Sequence, residues 1–237
     1  MSPNGLPRER LEEIRRFDTC TLSNAIERLK VRPHNEGFVY GGPTCCFPEL
    51  PPVIGYAVTG RIRTSMPPIQ GRWYHENVDF LRYVESVPSP RFVVLQDCDP
   101  AVGLGALFGE IHARICGALG CTAYLTNGAV RDLPSVRNLG FQLFAGSFSV
   151  SHAYAHVIDF GGAVEIGGLR ISSGDLLHGD LHGVQSIPLE AADRLPEMAR
   201  EVTREEEELF RLFAQKDFSV DQLESNLRSK MGRNLRD

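Results

Sequence analysis

Residues 91–132 read RFVVLQDCDPAVGLGALFGEIHARICGALGCTAYLTNGAVRD, and this stretch decides the fold class. It holds an apolar run typical of a buried strand at 92–95, a helical segment at 110–119 and a second apolar strand at 123–125. Because strand, helix and strand follow one another, the stretch predicts an α/β fold with a covered sheet.

The alternation continues on both sides of this stretch. Further strands are predicted at 53–58 and 143–145, where apolar residues again form short runs. Two helical faces follow from apolar spacing: Val78, Leu81 and Val84 on one helix, and Ile111, Ile115 and Ala118 on the other. The pattern therefore favours a repeated strand–helix unit with parallel strands.

The two ends of the chain differ from this middle part. Residues 1–30 form a helical N-terminal part, and residues 31–53 are predicted to be a long surface loop. Residues 157–187 are rich in glycine and short strands, which predicts a β-rich lobe. A C-terminal helical extension covers 189–237. We expect a single domain over residues 1–237.

Composition excludes several classes of protein. The chain has 237 residues, 25 Lys and Arg against 30 Asp and Glu, and a net charge of -5, so it lacks the basic surface that nucleic acid requires. Residues 1–17 contain no apolar segment typical of a signal peptide, and no apolar run is long enough to cross a membrane. The six cysteines show no CxxC spacing. We therefore expect a reduced, cytoplasmic protein without a membrane or nucleic-acid partner.

The glycine-rich segment 103–109 precedes a helix. Its glycines do not have the spacing of a dinucleotide-binding loop. The backbone N–H groups of Gly109, Glu110, Ile111 and His112 would nevertheless form a small anion site suited to one carboxylate, because the first turn of a helix has no internal acceptors. The alternative is a plain flexible loop.

Arg131 and Asp132 follow the strand at 123–125, after an Asn-Gly pair that predicts a turn. Ligands of open α/β sheets bind at the carboxyl ends of strands. Arginine offers a planar fork for a substrate carboxylate, and aspartate is an oxygen ligand for Mg²⁺. The alternative is an ordinary surface ion pair between the two side chains.

Other polar residues give weaker signals. His152 with His156, and His178 with His182, have i,i+4 spacing, but neither pair has the Glu that accompanies a helical zinc site. Asp97 and Asp99 end a predicted strand, and we expect them to form a solvated turn. These groups do not add to the candidate site.

Several segments together resemble one family. They are residues 18–25 (DTCTLSNA), 108–110 (FGE), 127–132 (NGAVRD) and 174–188 (GDLLHGDLHGVQSIP). Their sequences and order are similar to those of the family that joins 4-hydroxy-4-methyl-2-oxoglutarate aldolases with regulators of ribonuclease E activity A. The resemblance covers residues 18–188, which is most of the chain.

The resemblance implies an α/β/α-type swivelling fold, similar to phosphohistidine domains, with helices at both termini. It also implies a homotrimer or a dimer of trimers with active sites between subunits, and a divalent cation, Mg²⁺ or Mn²⁺. By position, Arg131 would bind the substrate carboxylate and Asp132 the metal. Gly109 to His112 would line the oxo-acid site with amides, and Glu110 would contact metal-bound water.

The activity implied is that of a class II pyruvate aldolase, which cleaves a C–C bond of a 2-oxo acid such as 4-hydroxy-4-methyl-2-oxoglutarate. Oxaloacetate decarboxylation would use the same site, because both reactions leave negative charge on a 2-oxo acid that a metal ion stabilises. The alternative is a non-catalytic regulator that binds a ribonuclease or another protein, since members with that role share the fold.

Overall fold

The computed structural model describes residues 5–69 and 73–234. Its helices are α1 (Arg8–Arg15), α2 (Thr19–Leu29), α3 (Trp73–Ser86), α4 (Glu110–Ala118), α5 (Leu133–Asn138), α6 (Leu195–Phe213) and α7 (Val220–Asn234). Its strands are β1 (Thr44–Cys45), β2 (Val53–Arg63), β3 (Arg91–Asp97), β4 (Ala106–Phe108), β5 (Cys121–Val130), β6 (Gln142–Phe148), β7 (His156–Phe160), β8 (Val164–Ile166), β9 (Leu169–Ile171), β10 (Leu176–Asp180) and β11 (Gly183–Ile187).

One mixed sheet organises the described part of the chain. Strands β2, β3, β5 and β6 are parallel neighbours, in the order β6-β5-β3-β2. Antiparallel strands extend the sheet at both sides, with β1 beside β6, and β10 then β11 beside β2. The predicted α/β class and its parallel strand–helix units are therefore confirmed.

The sheet curls into a nearly closed barrel. Gly179 of β10 lies so close to Phe144 of β6 that a Cβ at position 179 would be 2.7 Å from the ring. Phe92 stacks on Phe144 with ring centroids 5.8 Å apart, and both side chains are fully buried. Strands buried on both faces need apolar side chains in both directions, which explains the uninterrupted apolar run at 92–95.

Hydrogen bonds attach helix α2 of the N-terminal part to strand β10 of this sheet. Asp18 caps α2 by accepting the N–H of Thr21 at 2.8 Å. The N–H of Thr19 donates to the buried carboxylate of Asp180 at 2.8 Å, and the Thr19 hydroxyl lies 3.1 Å from Nδ1 of His178. Burial lowers the pKa of His178 to about 4, so this ring is neutral at neutral pH. The first and last segments of the resemblance thus hold each other in place.

The helices of the C-terminal extension begin on this same surface. Helix α6 buries Leu195, Ala199 and Val202, and it packs against α2. Arg28 of α2 forms two hydrogen bonds with Glu205 of α6, at 2.9 and 2.7 Å. The predicted N-terminal and C-terminal helices are confirmed within the described residues. Across residues 5–69 and 73–234, no helix combines the length and the apolar character that a membrane span requires.

Residues 157–187 are rich in strands as predicted, but they do not form a lobe of their own. Strands β7, β10 and β11 join the main sheet, and β8 pairs with β9 beside it. Val164, Ile166, Leu169 and Ile171 of that hairpin are buried in the same apolar cluster as Phe92. The short strands are explained by the curvature of the sheet, because long strands cannot follow a tight curl without breaks.

Two local predictions are wrong. Asn127 and Gly128 do not form a turn, because β5 continues through them to Val130 with a shift in register between Thr126 and Ala129. In addition, α4 packs on the sheet through Ala113 and Cys116, whereas the predicted face points away from it. Small side chains let a helix approach the sheet closely, and the larger Ile111 and Ile115 are left to line a cavity beside it.

Candidate functional site

Two strand-to-helix connections meet at one edge of the sheet. Strand β4 leads through Gly109 into α4, and β5 leads through Arg131 and Asp132 into α5. The N–H of Arg131 donates to the carbonyl of Phe108 at 3.0 Å, and the N–H of Glu110 donates to Oδ2 of Asp132 at 3.1 Å. These two hydrogen bonds join the connections into one corner. The location at the carboxyl ends of strands is the one predicted.

Asp132 has an unusual backbone conformation, with φ of 57° and ψ of 35° in the left-handed region. Aspartate tolerates this region better than most residues. The conformation turns the chain directly into α5, and the Asp132 carboxylate lies over the first turn of α4. The position of this carboxylate is therefore set by the backbone.

Gly109 leaves the space that the two side chains occupy. A Cβ at this position would lie 2.5 Å from Oδ2 of Asp132 and 2.8 Å from Cγ of Arg131. The backbone of Gly109 is extended, so the glycine is required by the lack of space and not by its torsion angles. The glycine of this segment thus has a steric role in the site.

We expect Gly109→Ala to lower kcat/KM for a 2-oxo acid by about 10- to 100-fold, because shifting a positioned group by about 1 Å costs that much. The melting temperature should change little, since both displaced side chains reach solvent. Steady-state kinetics and circular dichroism measure the two effects. Gly117→Ala on α4 is the matched control, because a Cβ there meets no atom within 4 Å. Unchanged kinetics for Gly109→Ala would contradict a functional role of this corner.

The Asp132 carboxylate is ionised at neutral pH. Burial opposes ionisation, but the N–H of Glu110 and the guanidinium of Arg131 outweigh it and hold the pKa of Asp132 below its ordinary value. Nε of Arg131 lies 3.2 Å from Oδ1 of Asp132. The terminal nitrogens of the Arg131 guanidinium have no hydrogen-bond partner among the described residues, so they remain available for a carboxylate ligand.

Glu110 is the second acid of the corner. Its carboxylate accepts two hydrogen bonds from Arg114, at 2.9 and 2.7 Å. Arg114 and the Ser135 hydroxyl lower the pKa of Glu110. The structure thus brings together Gly109, Glu110, Arg131 and Asp132, and it directs the Glu110 carboxylate toward Arg114.

Residues 109–112, predicted to offer an amide site, form the start of α4, where the N–H of Glu110 already donates to Asp132. Gly109 is the N-cap and has no side chain to accept these N–H groups. The side chain of Ile111 is 72% exposed, whereas the ring of His112 packs beside Phe108 with centroids 5.9 Å apart. Burial, followed by the nearby charge of His152, lowers the pKa of His112 to about 4. His112 is therefore neutral at neutral pH.

Sequence reasoning missed His152 as part of this site. Its Nδ1 lies 2.7 Å from the carbonyl of Ala106, and its electrostatic interaction with Asp132 is a minor contribution to the lowered pKa of that acid. A Cβ on Gly105 would overlap the carbonyl of His152, so a glycine is needed where the chain at 152 crosses β4. The i,i+4 spacing of His152 and His156 does not place them on one helix face, since His156 lies in β7.

Asp97 and Asp99 are not in a solvated turn. Both are buried, and Asp97 accepts the N–H groups of Asp99 and Gly103 at 3.0 and 2.8 Å. Asp99 accepts N–H groups from Thr64 and Ser65. Through these hydrogen bonds the two aspartates fix the segment that leads from β3 to β4, next to the corner.

A cavity of about 540 Å³ opens beside the corner. Gly109, His112, Asp132 and His152 are part of its lining. Apolar side chains of α3, α4 and the sheet line the rest: Val78, Phe80, Leu81, Val93, Leu95, Leu107, Phe108, Ile111, Ile115, Cys116, Ala155 and Val157. A second, more open depression is lined by Arg131, Asp132, Phe148 and Ser149. Asp132 therefore borders both spaces.

The residues of the corner fit a magnesium ion that is held mainly by water and substrate. No group of three or more His, Cys, Asp or Glu side chains is arranged to hold a metal within residues 5–69 and 73–234. Mg²⁺ is commonly bound through one or two carboxylates and keeps several waters. The ionised, partly exposed carboxylate of Asp132 matches that requirement.

Comparison with known proteins gives a consistent result. The family model described as RraA-like, Aldolase/RraA, matches residues 19–185. A protein of Halalkalibacterium halodurans named as a 4-hydroxy-4-methyl-2-oxoglutarate aldolase is 25% identical over 103 residues, which are 43% of this chain and 49% of that protein. The matched stretch thus spans about half the length of that relative.

Two solved structures share the fold. A protein from Pseudomonas syringae pv. tomato str. DC3000 superposes with a TM-score of 0.73 and 21% identity, covering 95% of this chain and 97% of its own. RraAS2 of Streptomyces coelicolor, described as an unusual member of the RNase ES inhibitor RraA protein family, has a TM-score of 0.67 and 21% identity, covering 86% and 96%. At this level of identity the likeness shows the fold alone.

Proposed function

The chain belongs to the RraA-like (Aldolase/RraA) family, and on that premise we propose that it is a divalent-metal-dependent lyase acting on 2-oxo acids. The reaction is that of a class II pyruvate aldolase, with 4-hydroxy-4-methyl-2-oxoglutarate as the substrate suggested by the named relative. Oxaloacetate decarboxylation is the second reaction of the same site. The observation that carries the proposal is an ionised Asp132 beside an Arg131 fork at a helix N-terminus.

The protein groups of the corner have distinct roles in this proposal. The free terminal nitrogens of Arg131 bind the substrate carboxylate in a bidentate manner. The first-turn N–H groups of Ile111 and His112, which are not engaged by Asp132, stabilise the negative charge that develops on the 2-oxo group. Glu110, ionised and held by Arg114, orients water next to the site. Together these groups fix the oxo acid before bond cleavage.

Asp132 would hold the metal ion. When bound, Mg²⁺ or Mn²⁺ supplies Lewis-acid stabilisation of negative charge on the substrate oxygens. The N–H of Glu110 occupies one position on Oδ2 of Asp132, which fixes the direction of the carboxylate. This contact keeps the acid in one orientation without protonating it.

The oligomeric state also belongs to the proposal. We propose a homotrimer or a dimer of trimers in which a neighbouring subunit borders the corner. We also propose that the fold is of the swivelling α/β/α type, similar to phosphohistidine domains. Phe148 and Val150 next to Arg131 are 61% and 95% exposed, which suits a surface covered by another subunit.

The test is pyruvate formation from oxaloacetate in the presence of Mg²⁺, followed by coupling to lactate dehydrogenase. We expect a rate above that of Mg²⁺ alone that increases with protein concentration. The competing function is a non-catalytic regulator that binds a ribonuclease, and it predicts no increase with protein. A result without any protein-dependent pyruvate from oxaloacetate or from 4-hydroxy-4-methyl-2-oxoglutarate would favour the regulator.

A further inference from the structure

The apolar cavity beside the corner is continuous with the candidate site. Its lining includes Gly109 and His112 from the start of α4, together with Asp132 and His152. Leu95, Leu107 and Phe108 at its base are at most 5% exposed. The volume of about 540 Å³ lies within the range that holds a small organic ligand.

The lining of this cavity does not suit a second carboxylate. Among the described residues that line it, no Lys or Arg is present, and His112, Asp132 and His152 are the polar side chains beside Cys116 and the apolar residues. A carboxylate placed deep in such a lining would lose its hydration without gaining a cationic partner. An apolar group there would instead bury area against aliphatic and aromatic side chains.

We propose that the chain acts on 4-hydroxy-2-oxo acids whose C4 substituent is apolar, with the 2-oxo acid at Arg131 and Asp132 and the substituent in the cavity lined by Leu107 and Ile115. The inference rests on the proposed function, since it names the substrate class of the same site. It differs from a dicarboxylic substrate such as 4-hydroxy-4-methyl-2-oxoglutarate, whose far end carries a charge.

The cleavage is balanced without an oxidant or reductant. The C3–C4 bond breaks, the C4 hydroxyl loses its proton to solvent-derived base, and C4 becomes the carbonyl carbon of an apolar aldehyde. The electron pair of the broken bond stays on C3 and then takes up one proton, which yields pyruvate. The aldehyde leaves through the cavity, and pyruvate leaves from the corner.

The first experiment compares two substrates with wild-type protein and Mg²⁺. We expect kcat/KM for 4-hydroxy-2-oxo-4-phenylbutanoate to exceed that for 4-hydroxy-4-methyl-2-oxoglutarate by at least about 30-fold, because a phenyl ring gains its transfer free energy in the cavity. Coupling of pyruvate to lactate dehydrogenase measures both rates. Equal rates, or preference for the dicarboxylate, would overturn the inference.

The second experiment fills the cavity. Ile115→Trp on α4 and Val78→Trp on α3 should each lower kcat/KM for the phenyl substrate by at least about 10-fold, because the indole occupies the space of the phenyl group. Ala118→Trp is the matched control, because Ala118 is exposed and does not line the cavity, and it should leave kcat/KM unchanged. Val78 is 47% exposed, so its variant tests the idea even if Ile115→Trp fails to fold.

Two further measurements separate the outcomes. Exchange of pyruvate methyl protons with deuterated solvent needs only the corner, so it should stay near wild type in both cavity variants. If wild type shows exchange but no phenyl preference, the inference fails and the proposed lyase function stands; if exchange and oxaloacetate turnover are both absent, the proposed function fails. Light scattering tests whether a second copy of the chain fills the cavity instead of a substrate. Dissociation of the assembly by Ile115→Trp would show that it does and would overturn the inference.

Discussion

Replacing Arg131 by Lys should lower kcat/KM for oxaloacetate by at least roughly 100-fold. Lysine keeps the positive charge but loses the planar fork that binds a carboxylate through two nitrogens. In the structure, one guanidinium nitrogen already faces Asp132 at 3.2 Å, and only an arginine has further nitrogens left for the substrate. A charge-assisted hydrogen bond contributes about 1.5–3 kcal/mol, and a misplaced oxo acid adds to the loss.

Arg131→Ala should show a loss of at least the same size, and both variants should keep the wild-type melting temperature. Arg137→Lys is the matched control, because Arg137 forms an exposed ion pair with Glu49 near the same connection. Its kinetics should stay near wild type. If Arg131→Lys decarboxylates oxaloacetate at the wild-type rate, Arg131 is only an ion-pair partner of Asp132.

Removal of divalent metal should reduce oxaloacetate turnover to the rate measured without protein. Added Mg²⁺ or Mn²⁺ should restore it, because the proposed reaction relies on Lewis-acid stabilisation by the metal ion. Asp132→Asn should lower kcat/KM by at least about 100-fold at fixed Mg²⁺, since a neutral amide is a poor ligand for a hard cation. Asparagine tolerates the left-handed backbone at 132, so the melting temperature should be unchanged.

The control for this variant is Asp193→Asn, which changes an aspartate that is 79% exposed and far along the chain. Titration with Mg²⁺ distinguishes lost affinity from a lost fold, because a weakened site regains rate at high metal concentration. Full activity after treatment with EDTA would contradict the metal-dependent mechanism.

The strand–helix alternation was predictable because buried parallel strands need apolar runs. The run at 92–95 and the positions of Arg131 and Asp132 after a strand follow from local sequence. The resemblance then placed Gly109 in the site. Its steric role required coordinates, because a missing Cβ becomes meaningful only when Asp132 is known to lie against it.

The face of α4 was mispredicted for a physical reason. Periodicity assigns the core to the largest apolar residues, Ile111 and Ile115, but close packing on the sheet selects Ala113 and Cys116. The apolar face of a helix can line a cavity instead of contacting the core. Here that face lines the cavity, which local sequence cannot show, because its opposite wall comes from α3 and the sheet.

The polar groups were harder to place than the strands. Asp97 and Asp99 have the sequence of a solvated turn, but both are buried, and Asp99 accepts N–H groups from the distant residues Thr64 and Ser65. Asn127 similarly stays in a strand because its amide bonds both the N–H and the carbonyl of Asp97. Tertiary hydrogen bonds thus overrode a local turn preference.

The left-handed backbone at Asp132 limits which substitutions this position accepts. Single-nucleotide changes of an aspartate codon give Asn, Gly, Ala, Val, Glu, His or Tyr, and of these Asn and Gly fit the conformation best. Descendants that abandon chemistry but keep the fold should therefore carry Asn or Gly at this position more often than Ala or Val. The residue at 132 would then distinguish catalytic lineages from those kept only for binding.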